Sequence, residues 1–310
     1  MPTDMQVTIA GVPFDSPVIA ASGTFGFGFE YLPYVDMHRI GGVALKALTP
    51  LPREGNPVPR ICETPAGVLN SIGLQNPGAE SFCMERGPRL AELGCRVIAN
   101  VAGSNQDDYL RVIELLEDIP IDMYELNVSC PNVRSGGMSF GRDPEAVRAL
   151  TANAATITER PLMVKLTPNT DDITAQAQAA KEGGAKALSL INTLLGMAVD
   201  ADTHRPMLAN ITGGLSGPAV KPVALRMVHE VYKAGIGLPI IGMGGILTGR
   251  DAAEFMICGA DAVMAGTATL RDPSAVERIA RELEEFANEQ GLSSVSELTG
   301  SLKAEAQDAY

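Results

Sequence analysis

The chain has 310 residues and carries 24 basic against 37 acidic side chains, a formal charge of -13. With no segregated basic stretch, that balance argues against nucleic-acid or anionic-lipid partners. The hydrophobic fraction of 45% and charged fraction of 20% exclude disorder, and at this length a single core can bury roughly three quarters of the unfolded chain's surface.

In chain order, the segment Thr8–Pro13 (TIAGVP) reads as a small hairpin turn able to cap one face of a larger fold. Short apolar runs then recur at Pro17–Ser22, Gly42–Lys46, Arg96–Val101, Met123–Val128, Leu162–Leu166, Ala187–Ile191, Pro239–Met243 and Ala262–Ala265. Helical spacing of apolar residues separates most of them, over Glu80–Leu93, Gln106–Leu116, Pro144–Ile157, Asp171–Lys181, Pro218–Lys233 and Arg250–Cys258. A further helix is expected from Pro273 to Glu289, followed by a mildly helical or frayed tail, LKAEAQDAY.

Strands without polar alternation, separated by helices, define an α/β fold whose parallel sheet is covered on both faces. Eight such strands can close into a (β/α)8 TIM barrel, with an open doubly wound sheet as the competing arrangement. Polar and glycine clusters follow several strands along the whole chain. This favours a barrel, whose site draws on many strand ends, over an open sheet, which gathers ligands at one switch point. Two long connections, from Ala47 to Pro77 and from Asn192 to Gly217, read as structured insertions at the C-terminal face. No linker or repeat interrupts the pattern, so residues 1–310 are expected to form one domain.

The C-terminal strand ends carry the chemistry. GMGGI places Gly244 and Gly245 after the seventh strand, AGTATL places Gly266 and Thr267 after the eighth, and GGLSGPA supplies Gly217 before a helix. Glycines let backbone N–H groups approach an anion, and the loops after strands 7 and 8 are the recurrent phosphate site of this barrel. Tight turns are the bland alternative. Lys46 and Lys165 lie within or at the end of apolar runs, where a lysine is costly unless paired or facing polar ligand atoms. Pairing of Lys165 with Glu125 is one way to satisfy it.

Asn70, Asn100, Asn127 and Asn192 with Thr193 stand at strand exits or in the first insertion, and Gly73 offers a backbone open to close approach. Asparagine presents a donor and an acceptor together, which suits a planar heterocycle with alternating N–H and C=O groups. Any one of them could instead cap local backbone.

Histidines at 38, 204 and 229 are scattered and no carboxylates have ligand spacing, so no metal site is expected. The five cysteines include no C-x-x-C pair, which points away from a disulfide framework and toward a reducing, cytoplasmic setting. No signal peptide or membrane-spanning run is expected. Cys130, in ELNVSCPN (Glu125–Asn132), follows the fourth strand, and the sequence offers it no obvious histidine partner. It reads either as a small buried hydrophobe or as a proton acceptor beside a redox centre, with the glycine-rich segment PNVRSGGMSFG as a lid over it.

The motifs ASGTFG, ETPAGVLNSIGLQNPG, ELNVSCPN, VKLTPN, LINTLLGM, GGLSGPA, IGMGGI and AGTATL, in one order along nearly the whole chain, resemble the class 1 dihydroorotate dehydrogenases, most of all the catalytic subunits of the B type. The resemblance implies a TIM barrel holding one FMN and oxidising dihydroorotate to orotate in pyrimidine biosynthesis. Cys130 would take the proton from C5 while the C6 hydride goes to the flavin.

On the cofactor side the resemblance implies Ser22, Lys46, Ala47, Asn100, Asn127, Lys165, Ile191, Gly217, Gly244, Gly245, Gly266 and Thr267, with Lys165 also catalytic beside the flavin N1 and O2 edge. On the substrate side it implies Lys46, Asn70, Ser71, Ile72, Gly73, Leu74, Asn127, Asn192 and Thr193. Ser22, Ala47 and Ile191 come from the resemblance alone. It also implies a homodimer joined to two electron-transfer subunits, a heterotetramer in which the partner holds FAD and a two-iron, two-sulfur cluster and passes electrons to NAD. The A type, which reduces fumarate directly, is the near alternative. Dihydropyrimidine dehydrogenase resembles the same barrel but carries further cluster-bearing domains. A phosphate-binding isomerase or lyase barrel, or a non-catalytic ligand-binding barrel, is the distant alternative.

Overall fold

The computed structural model describes residues 2–128 and 140–303; the expectations for Cys130, the lid segment up to Met138 and Ser139, and residues 304–310 lie outside them. Eight parallel strands close into a barrel in chain order: β1 Val18–Ala20, β2 Gly42–Ala44, β3 Arg96–Val101, β4 Met123–Asn127, β5 Leu162–Lys165, β6 Ala187–Leu190, β7 Ile240–Met243 and β8 Ala262–Ala265. β8 pairs with β1, Val263 opposite Val18, which completes the cylinder. Almost every strand residue is buried. That burial on both faces is why each strand reads as an unbroken apolar run.

Among the described residues seven α-helices accompany the barrel: α1 Ala79–Glu85, α2 Gln106–Leu116, α3 Pro144–Ala154, α4 Ile173–Glu182, α5 Lys221–Lys233, α6 Gly249–Ile257 and α7 Ala275–Glu289. The side chain of Asn105 caps α2 by accepting from Asp108 N, and Tyr109, Val112, Ile113 and Leu116 form its buried stripe. Asp172 caps α4 in the same way. The helix expected over Glu80–Leu93 divides. α1 ends at Glu85, and Gly87–Leu93 forms a 3-10 segment with Pro88 in its first turn, since proline cannot donate to an ongoing helical ladder. Between β1 and β2 there is no α-helix, only 3-10 turns at Phe29–Tyr31 and Met37–Arg39.

The N-terminal hairpin, Val7–Ile9 with Val12–Phe14, turns through Ala10 and Gly11, both with positive φ, as a two-residue hairpin turn requires. It lies against the N-terminal end of the barrel, where Arg96 at the start of β3 donates to the Pro13 carbonyl at 2.7 Å. At the opposite end the two insertions meet. Strands Ile61–Thr64 and Gly67–Asn70 from the first, and Leu194–Met197 and Thr212–Ser216 from the second, form one four-stranded antiparallel sheet.

Candidate active site

At the C-terminal mouth, β3 to β6 bring a polar network into the barrel wall. Glu125 on β4 is fully buried and is the register partner of Asn100 on β3. Its carboxylate accepts from Asn100 Nδ2 and, at 2.7 Å, from Ser189 Oγ on β6. Lys165, which ends β5 and pairs in register with Asn127 and Ser189, lies with Nζ 3.9 Å from the same carboxylate. The pairing of Lys165 with Glu125 is therefore present. Burying a charge demands such partners. Asn100 Oδ1, also buried, has no hydrogen-bond partner, so this wall presents an unsatisfied acceptor on the same side chain that donates to Glu125.

Around that wall stand the half-buried groups. Asn127 holds its carbonyl on Tyr109 OH at 2.8 Å and accepts from Asn192 Nδ2 at 3.1 Å. Asn192 and Thr193 lie just beyond β6, and the Asn192 side chain accepts from Thr193 N at 2.8 Å. Ser22, beyond β1, donates to the Leu45 carbonyl beyond β2 at 2.6 Å, joining two strand exits. Lys46 follows the end of β2 by two residues and donates its backbone N–H to Gly26 O; Ala47 beside it is buried.

The first insertion brings Asn70 to Leu74 to the rim. Asn70 donates to Gly214 O at 3.4 Å, and Ser71 Oγ receives Asn56 and Asn210 side-chain amides at 2.9 and 3.1 Å. Both Gly73 and Leu74 have positive φ, so the chain turns sharply there. Asn76 fixes the turn by donating to Leu74 O at 2.7 Å and Thr49 Oγ1 at 2.8 Å. Ile72 lies between these anchors and is half-buried.

The glycine loops converge at one corner. Gly217, Gly244 and Gly245 have φ of 94, 132 and 80°, a region closed to most side chains. A Cβ on Gly245 would lie 2.8 Å from Gly217 O, and one on Gly244 would lie 2.8 Å from Ala224 Cβ and 3.5 Å from Ile191. Ile191 is thus the apolar neighbour of this corner. Thr267 donates to Ser216 Oγ at 2.8 Å, tying the exit of β8 to the strand before Gly217, and Gly266 precedes it. Asp251 accepts from Leu247 N and Thr248 N, both at 2.9 Å, and receives Lys221 Nζ at 2.6 Å. Burial pushes the Asp251 carboxyl up, but the bonds from Lys221, Leu247 and Thr248 outweigh it and hold the group below the usual carboxylate range.

Sequence reasoning passed over Ser189, Ser216, Asn169 and the Asp251–Lys221 pair. Asn169, the last residue of VKLTPN, donates to Thr193 O at 3.0 Å and accepts from Leu195 N at 2.9 Å, and its place in that motif was a usable signal. A serine inside an apolar strand, as Ser189 is, carries little. Among the described residues no group of three or more His, Cys, Asp or Glu could hold a metal, and no helix is long and apolar enough to cross a membrane. Cys62, Cys83, Cys95 and Cys258 are free thiols.

A closed parallel barrel with polar groups and glycine loops collected at its C-terminal strand ends has the architecture of a (β/α)8 enzyme. The family model described as dihydroorotate dehydrogenase matches residues 4–287, and the chain belongs to that family. It is 50% identical over 301 residues to the "dihydroorotate dehydrogenase B (NAD(+)), catalytic subunit" of Geobacter sp. (strain M21), covering 97% of this chain and 98% of that one. It is 49% identical over 304 residues to the protein of that name from Pelobacter propionicus, covering 98% and 100%. A third, from Alkaliphilus metalliredigens, is 48% identical over 299 residues, covering 96% and 99%.

Proposed function

We propose that this chain is the catalytic subunit of a B-type dihydroorotate dehydrogenase, oxidising dihydroorotate to orotate in pyrimidine biosynthesis and passing electrons to NAD through a partner subunit. What supports the reading most is the gathering at one mouth of the described residues among those that the family resemblance assigned from separate strand ends, in a chain similar along nearly its whole length to proteins bearing that name.

The family is flavin-dependent, and the residues present fit FMN. The corner of Gly217, Gly244 and Gly245 has backbone that a Cβ would obstruct, as an amide cradle for a phosphate requires. Gly266 and Thr267 complete it. The unpartnered Asn100 Oδ1 suits an N–H of a planar ring, with Ser22, Lys46, Ala47, Asn127, Lys165 and Ile191 as the remaining contacts. When bound, FMN supplies the hydride acceptor.

The chain's own residues do the rest. Lys165, held beside Glu125, offers positive charge where negative charge develops during reduction. Asn70 to Leu74, Asn127, Asn192 and Thr193 orient the pyrimidine ring through paired donors and acceptors, with Lys46 or nearby backbone amides facing its carboxylate. Cys130, outside the described residues, takes the proton from C5. A base acting on one ring face and hydride departure from the other divide the loss between two acceptors, which needs no metal.

In the same reading the chain forms a homodimer with two electron-transfer subunits, which hold FAD and a two-iron, two-sulfur cluster, in the cytoplasm. The test is anaerobic titration of the purified yellow protein with dihydroorotate, followed by NAD. Bleaching without NADH formation supports both the chemistry and the separate partner. A colourless protein that stays colourless with FMN removes the flavin reading, and reoxidation by fumarate would favour the A type.

A further inference from the structure

We propose that Asp251, braced by Lys221, is a positioning residue for the phosphate of FMN, a role that rests on the phosphate corner proposed above. The Asp251 carboxylate spans two loops. One oxygen accepts from Leu247 N and Thr248 N at 2.9 Å and from Thr248 Oγ1 at 3.0 Å. These residues follow Gly244 and Gly245 with only Ile246 between. The other oxygen accepts from Lys221 Nζ at 2.6 Å, at the first residue of α5, four positions beyond Gly217. A single side chain therefore ties the loop after β7 to the helix start beyond Gly217.

Glycine-rich backbone is the costliest to order, and amide donors favour an anion only when already aimed. Lys221 is itself shared with Glu254 at 2.8 Å, so its charge is committed to carboxylates. Recognition of the anion falls to backbone amides, which Asp251 holds in place. The side chains of Asp251 and Lys221 are 16% and 25% exposed, shielded enough for the strut to stay formed. A merely structural cap on α6 would serve any flavin equally, whereas a strut under the phosphate corner acts on FMN and not on riboflavin, which lacks the phosphate.

The experiment titrates flavin-depleted protein with FMN and with riboflavin, following quenching of flavin fluorescence. For Asp251→Asn, FMN affinity is expected to fall by about tenfold or more while riboflavin affinity changes by less than about twofold, with Asp251→Glu recovering part of the loss. Lys221→Met, read by the same ratio, replaces Asp251→Asn if that variant does not fold. Equal weakening of both ligands, or no change in either, overturns the positioning role while leaving the phosphate corner intact. Wild-type protein that binds FMN no more tightly than riboflavin overturns the phosphate corner itself.

Discussion

The two ends of the barrel are built from the same eight strands and treat polar groups in opposite ways. At the N-terminal end the hairpin seals the cylinder with Ile9 and Phe14, both fully buried. The polar groups there satisfy the chain itself: Arg96 bonds Pro13 O and Asp122 at 2.7 and 3.0 Å, and Asp122 accepts from Val97 N. At the C-terminal end, Asn127, Asn192, Lys46, Gly244, Gly245 and Gly266 remain half-buried, and Asn100 keeps a buried acceptor without a partner. Polarity spent within the chain at one end, and a buried acceptor left without a partner at the other, separate stability from the proposed ligand site along a single axis.

Substitutions at the two ends should therefore move different observables. The largest effect expected is on stability. Phe14→Ala leaves a cavity under the hairpin and should cost about 3–5 kcal/mol in urea denaturation, while the protein that remains folded reduces its flavin at the wild-type rate. A matching loss of rate would show that the sealed end communicates with the mouth. Next in size, Cys130→Ala should slow anaerobic flavin reduction by dihydroorotate at least about a hundredfold, the lower range of general-base contributions, with bound flavin retained. Cys130→Ser should be slow and speed up with rising pH; a slow rate independent of pH would argue against proton abstraction by this side chain.

The sealed end and the barrel wall were the legible part of the sequence. All eight strands stand where apolar runs stood, because burial on both faces leaves no polar alternation, and the turn at Ala10 and Gly11 announced the hairpin. The open end was legible only in pieces. Proline and glycine marked both insertions, yet nothing local shows that Gly67–Asn70 pairs with Thr212–Ser216, since strand pairing between distant segments leaves no periodic trace in either. Asparagines and glycines at strand exits could be picked out by residue type. Ala47 and Ile191, proposed for the cofactor side, could not, because an apolar residue proposed to line a ligand is chemically the same as one that fills a core. The Glu125–Ser189 bond joins residues 64 positions apart and was invisible for the same reason as the sheet.

A smaller effect is expected at the wall between the ends. Lys165→Ala should weaken FMN binding by about tenfold or lower the flavin's reduction potential, since it removes a charge-assisted partner from the proposed ring edge. Introducing Glu125→Gln in the same chain should restore part of the stability lost to the unpaired carboxylate without restoring the flavin effect. A potentiometric titration and a binding curve both matching wild type would detach Lys165 from the cofactor.

The finest contrast lies between two aspartates at opposite ends. Asp261, just before β8, accepts from Ile240 N at 2.8 Å at the start of β7, and burial pushes its carboxyl up, with that bond only partly opposing. Asp251, beyond the far end of β7, is held down despite its burial. Their signs therefore differ. With an ordinary carboxylate value of about 3.9, folded protein binds the Asp261 proton more tightly than unfolded protein does, so its contribution to stability declines as pH rises from about 4 toward its raised value. The Asp251 contribution is present above about pH 4 and is lost as pH falls below that, through its lowered value. Urea denaturation of flavin-free protein across pH should show Asp261→Asn removing a decline on the alkaline side of about pH 4, and Asp251→Asn removing a loss on the acid side. Two variants with superimposable pH profiles would mean that the ends of the barrel do not differ electrostatically, and the division of labour between them would then rest on packing alone.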